Sequence, residues 1–293
     1  MKRLIVNADD LGLTEGVNRA VFDLHRKSAL TSATLMATSP LGWAASEALT
    51  SGAQKGAGPG VGCHVVLVDG VPVLPPSDIP SLLDRRIPGK FRPTLANFAF
   101  DLLRGRIREV EIEAEAIAQI GRLRETGLSL THVDTHKHTH VFPRVLRPLL
   151  RAASISGVRS IRNPFEPAWS IATAPGASLF RRIQLTVLRS QRAYFLKAVA
   201  ASGMASTDGA LGIAATGSLT AVAIRNLLQA MPKGTWELVC HPGYVDDDLR
   251  NARTRLLESR EIEYAALLEV IPTAVADAGV TLIDFQELTS CRI

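Results

Sequence analysis

Three cysteines, Cys63, Cys240 and Cys291, are too few and too irregularly spaced to form a disulfide framework. Free thiols suit a reducing compartment. The chain also lacks any uncharged run apolar enough to span a bilayer. Its first ten residues do not read as a secretory signal, because the apolar run is short and Asp9 and Asp10 follow at once. There is no internal repeat and no low-complexity tract. The formal charge of +5 is modest and spread along the sequence, apart from a denser basic stretch at 181–192. No nucleic-acid recognition motif accompanies it, so no nucleic-acid partner is expected. An anionic membrane surface fits that charge equally well. These absences point to a soluble cytoplasmic protein and leave open a peripheral contact at the inner face of a membrane.

What is present is enough for a large core. Hydrophobic residues make up 46% of the 293 and charged residues 21%, which excludes a disordered chain. Short apolar runs at 4–7, 32–37, 60–68, 128–138, 158–162, 236–240 and 281–285 read as strands. Helical spacing occupies 14–28, 43–51, 108–126, 142–156 and 256–278, the last broken or kinked at Pro272. Thr14 is placed to cap the first helix, and a proline-rich loop covers 71–88. Alternation of this kind predicts a mainly parallel sheet in an α/β fold. The number of units favours one distorted or incomplete (β/α) barrel over 1–293, with an insertion or lid around 164–220.

Ionisable residues cluster where those strands end. His132, Asp134, His136, His138 and His140 occupy every second position, and four of the seven histidines lie among them. In an extended strand that period puts all five on one face, as a metal or proton-transfer site requires. Asp9 and Asp10 directly follow the first apolar run, so one can bind a metal while the other handles a proton. His64 lies in a valine-rich strand and His241 just after another, each equally readable alone as a packed histidine. Cys63 alternates to the face opposite His64 and reads as a small buried hydrophobe, and a thiol-nucleophile reading of Cys240 beside His241 is set aside because strand neighbours point to opposite faces. Asp246, Asp247 and Asp248 read as solvated, and Arg162 as a fork that orients a site carboxylate. Parallel strands would bring these separate ends together.

The segments Asn7-Ala8-Asp9-Asp10-Leu11-Gly12, Gly62-Cys63-His64, His132 through Pro143, and Cys240-His241-Pro242 resemble the motifs of the YdjC/ChbG-like carbohydrate deacetylases. The run from Arg162 to Trp169 looks most like the hopanoid-biosynthesis-associated, HpnK-type branch. The resemblance implies a distorted barrel, one divalent metal and hydrolytic removal of an N-acetyl group from an amino sugar. By motif, Asp10, His64 and His136 would hold the metal, Asp9 would be the base and His241 the acid. His132, Asp134 and His138 would be supporting or substrate-contact groups.

Two imidazoles and a carboxylate favour zinc, with magnesium, manganese, cobalt and iron as alternatives. The apolar, arginine-dotted stretch 179–201 reads either as a helix on an anionic bilayer, suited to a lipid-linked amino sugar, or as an ordinary packed helix. A homodimer is left open. The rivals are a deacetylase of soluble oligosaccharides, a metal-dependent phosphoesterase and a non-catalytic metal- or sugar-binding module.

Overall fold

A computed structural model describes residues 1–51, 58–173, 186, 188–273 and the rest of the chain to 290. Seven strands form one all-parallel sheet: β1 (Lys2–Leu11), β2 (Ser32–Leu35), β3 (Gly60–Val65), β4 (Val133–Thr135), β5 (Gly209–Leu211), β6 (Gly234–Cys240) and β7 (Val280–Leu282). The order is β4-β3-β2-β1-β6-β5, and the first residues of β1 also pair with β7. Single bridges Val133↔Ile161 and Ser160↔Ala205 continue the pairing from β4 towards the segment that carries β5. The result is a distorted (β/α) barrel.

Helices α1 (Glu15–Arg26), α2 (Gly42–Thr50), α3 (Leu95–Leu103), α4 (Glu109–Arg124) and α5 (Pro143–Ile155) surround it. They are joined by α6 (Ala168–Thr173), α7 (Arg192–Ala201), α8 (Ala221–Ala230), α9 (Asp247–Asn251), α10 (Glu258–Asp277) and α11 (Phe285–Ser290).

Local chemistry explains several of these elements. Thr14 is extended and its hydroxyl accepts from the Val17 amide, which starts α1. The alternating glutamates of α4 divide between two tasks. Glu109 and Glu113 face outward and pair with Arg147 and Arg151 of α5. Glu111 and Glu115 are buried and accept from the loop amides of Ser81, Val73 and Leu74. The proline-rich loop therefore gets its hydrogen bonds from a helix rather than from a sheet.

Four expectations are corrected. The predicted strand 128–138 contracts to β4, because Lys137 and His138 take left-handed backbone with φ of 56° and 51°. The predicted strand 158–162 is reduced to the two bridges. α10 is one continuous helix with Pro272 inside it, so the chain is not broken there. Asp246 is not merely solvated: it caps α9 at the Leu249 amide and accepts from Gly16. Helices α3 and α8 went unpredicted. Most of 179–201 before residue 188 lies outside the described residues, and part of the 164–220 segment supplies β5 to the barrel itself.

Candidate metal and acid–base centre

The register explains why distant residues meet. Ala8 of β1 lies beside Ala33 of β2 and Cys240 of β6, so Asp9, Thr34 and His241 emerge side by side at the strands' C-terminal ends. His64 of β3 pairs with Asp134 of β4. Asp9 and Asp10 would normally face opposite sides of a strand. Asp10 has a φ of 66°, and the β1–β2 register shifts between Ala8 and Leu11, so the backbone turns where the second carboxylate must swing round. Both aspartates thereby reach one site.

Three donor atoms converge. His64 Nε2 lies 3.3 Å from His136 Nδ1 and 3.7 Å from Asp10 Oδ1, and His136 Nδ1 lies 3.5 Å from Asp10 Oδ1. Three donors bound at about 2.1 Å on a tetrahedral ion would stand roughly 3.4 Å apart. The spacing and the donor types therefore fit one divalent cation. Two of the three donors have outside support. Asp134 Oδ1 sits 2.7 Å from His64 Nδ1, the arrangement that leaves the other ring nitrogen free for a metal. Arg260 donates to Asp10 Oδ2 at 2.6 Å.

A second acidic group, Asp9, His64 and Asp134, is also close-set. Its cation is already in place, because Arg162 lies wholly buried among its carboxylates. Nη1 and Nη2 fork onto the two oxygens of Asp9 at 2.8 and 2.6 Å, and Nη1 also contacts Asp134. Arg162 is thus found where a fork on a site carboxylate was expected.

His241 Nε2 stands 3.9 Å from Asp9 Oδ2, while the His241 amide donates to Glu263 at 2.6 Å.

The electrostatics follow from burial against charge. Burial alone would raise the Asp9 carboxyl, but Arg162 and the neighbouring His64 outweigh it and hold Asp9 well below the usual carboxylate range. Asp10 behaves likewise under Arg260 and His136. Burial would lower His64, yet Asp134, Asp9 and Asp10 raise it to about 9.

The other histidines do not share one face. His132 lies deeper in the barrel, stacked on Phe285 with ring centroids 3.7 Å apart and hydrogen-bonded to Thr131. Gly62 is required there, since a Cβ on it would come within 2.5 Å of the His132 ring. His140 turns to Thr135 at 2.7 Å, and His138 stands edge-on to His140. The one-face reading of 132–140 is therefore corrected, because the strand ends at Thr135 and the chain then coils. Sequence reasoning missed Thr34, Glu237, Arg260 and Glu263, all buried beside the site. The signals available were a glutamate inside the apolar 236–240 run and an Arg-x-x-Glu pair in the last long helix.

Comparison with known proteins places this geometry in a family. A carbohydrate deacetylase of Brevibacillus brevis is 31% identical over 291 residues, covering 98% of this chain and 99% of its own. One from Geobacillus stearothermophilus is 31% identical, covering 97% and 96%. A chitooligosaccharide deacetylase of Escherichia fergusonii is 27% identical, covering 95% and 96%. Among solved structures, a protein of Enterococcus faecalis provisionally described as acting in cellobiose-phosphate cleavage shares the fold, with a TM-score of 0.77, 23% identity and 98% of each chain covered. Residues 3–272 match the family of YdjC-like proteins, and the chain belongs to it.

Proposed function

We propose that this chain is a metal-dependent hydrolase that removes the acetyl group from an N-acetylated amino sugar. Asp10, His64 and His136 hold one divalent cation, Asp9 is the base and His241 the acid. The observation that carries this reading is the donor triangle of 3.3, 3.5 and 3.7 Å beside the Asp9–His241 pair. The deacetylase names of relatives matched over nearly their full length support it.

An amide is a poor electrophile, so its hydrolysis needs an activated water, a stabilised oxyanion and a protonated leaving nitrogen. The cation, when bound, supplies Lewis acidity for the first two. Asp9 Oδ2 and His241 Nε2 stand 3.9 Å apart beside the donor triangle. Asp9 takes the proton of the attacking water, and His241 gives one to the departing amine. Glu263 accepts from the His241 amide and so fixes the backbone that carries that ring, with its carboxylate 3.9 Å from Nδ1. A phosphoesterase would want two ions. The second carboxylate group here already holds the Arg162 guanidinium as its cation, which favours the one-metal reading.

Zinc suits two imidazoles and a carboxylate best, with magnesium, manganese, cobalt or iron as substitutes. We place the chain in the HpnK-type branch, acting on a lipid-linked, hopanoid N-acetylglucosamine at the inner face of a membrane. A small apolar cavity lined by Leu103, Val141, Phe142, Pro143 and Leu188, with Phe100 and Leu103 exposed beside Arg104 and Arg106, supports that contact.

Acetate release from soluble and lipid-linked N-acetylglucosaminyl substrates tests the function. Asp9→Asn should spare metal binding while lowering turnover about 10²–10⁴-fold. Near-normal turnover in that variant would overturn the role of Asp9.

A further inference from the structure

One carboxylate inside the barrel has no part in the mechanism above. Glu237 lies in the middle of β6, opposite Ile5 of β1 and Ala210 of β5, and is wholly buried. A buried carboxylate is costly unless it is paired. Among the described residues its one cationic partner is Arg162: Oε1 receives Nε at 2.7 Å and Nη2 at 2.7 Å, while Oε2 has no hydrogen-bond partner there. Arg162 thus makes five nitrogen–oxygen contacts to three carboxylates, two of them to Asp9.

The guanidinium is planar and rigid. Whatever fixes its Nε edge also fixes the plane in which the two Nη atoms meet Asp9. Without Glu237, the fork would keep Asp9 and Asp134 at one end and nothing at the other. It could then pivot about them, and Asp9 would pivot with it.

Stability alone does not account for this glutamate. Asp9 and Asp134 already exceed the single charge of Arg162, and a third buried carboxylate adds desolvation cost that a neutral residue would avoid. Burial and the nearby Asp9 and Asp134 push its carboxyl up against the pull of Arg162, to about 7, so the fold keeps this group where it ionises poorly.

We propose that Glu237 is a positioning residue for the hydrolysis: by gripping the Nε edge of Arg162 it sets the fork that aims Asp9 at the attacking water. The inference rests on the role of Asp9 proposed above.

Two variants separate reach from charge. Glu237→Gln keeps an acceptor at the same distance, and Glu237→Asp keeps the charge but withdraws it by one methylene. Acetate release is measured per folded, metal-loaded chain, with bound metal and the thermal midpoint recorded for each. The Asp variant is expected to lose about 10- to 100-fold in kcat with KM and metal content unchanged, and the Gln variant to recover most of that loss. Wild-type kcat in the Asp variant would overturn the proposal. So would a Gln variant that folds, holds its metal and still turns over poorly, or losses in both that only track lost metal or folded protein. Asp9→Asn, assayed alongside, keeps the two failures apart. If it stays active, the base assignment falls. If it is inactive while Glu237→Asp is unimpaired, only the positioning role falls.

Discussion

Asp134→Asn asks how much of the metal site is built by its supporting layer. The two oxygens of Asp134 serve different partners: Oδ1 faces His64 Nδ1 at 2.7 Å, and Oδ2 meets Arg162 Nη1. An amide can replace one oxygen but not both. With its carbonyl towards His64, its NH₂ points at the Arg162 donor. Flipped, the NH₂ opposes the Nδ1 proton and drives that proton to Nε2, the nitrogen that faces His136 and Asp10. The first orientation sets two donors against each other at Arg162, and the second takes Nε2 away from the metal. Losses of this kind typically cost about 10- to 100-fold in metal affinity, or roughly 1.4–2.8 kcal/mol. A buried donor left unsatisfied costs about 1–3 kcal/mol of folding stability, so the thermal midpoint should fall by several degrees. The assay is chelator-competition titration of the metal-stripped protein with zinc, followed by acetate release at saturating zinc. Weaker binding with turnover largely recovered at saturation is expected, because Asp9 and His241 remain. Wild-type affinity in the Asn variant would refute the claim that Asp134 positions His64 for a metal.

Gly62→Ala would push a Cβ to 2.5 Å from the His132 ring, which Phe285 holds from its face. A cost of about 1–3 kcal/mol should appear as a lower urea midpoint. The Glu237 carboxyl is raised in the folded state from its ordinary value of 4.5 to about 7, so its contribution to stability is full below 4.5 and lost as pH rises through 7. An amide has no such loss. The stability of Glu237→Gln relative to the native chain should therefore rise across that window by up to about 3 kcal/mol, read from denaturation at both ends; a gap that does not move with pH would count against it. Anionic liposomes should co-sediment the protein, and charge reversal at Arg189 and Arg192 should release it. No binding, or binding blind to the reversal, removes the membrane contact.

The sequence reveals whatever depends on local pattern. Apolar runs at 4–7, 60–68 and 236–240 mark β1, β3 and β6, and Thr14 marks the start of α1. Parallel pairing then does the rest, because it stacks those ends at one mouth of the barrel. The every-second-residue run from His132 to His140 misleads. Its period suits a strand, but the backbone turns left-handed at Lys137 and His138, a conformation that neither residue type announces. Arg260 reaches Asp10 from a helix 250 residues away, and Glu263 reaches His241 from the same helix. Their one local trace is an Arg-x-x-Glu pair, which does not say which strand end it meets. Glu237 left a trace too, as a charge in an otherwise apolar strand, and its meaning came from the buried Arg162 beside it.

The most direct test is reconstitution of metal-stripped protein with zinc while acetate release from an N-acetylglucosaminyl substrate is followed. Activity should be absent at the start, rise with added metal and reach its plateau at one equivalent per chain, and His64→Ala should break that titration. Full turnover in the stripped protein, or a plateau only at two equivalents, would contradict a single cation held by Asp10, His64 and His136.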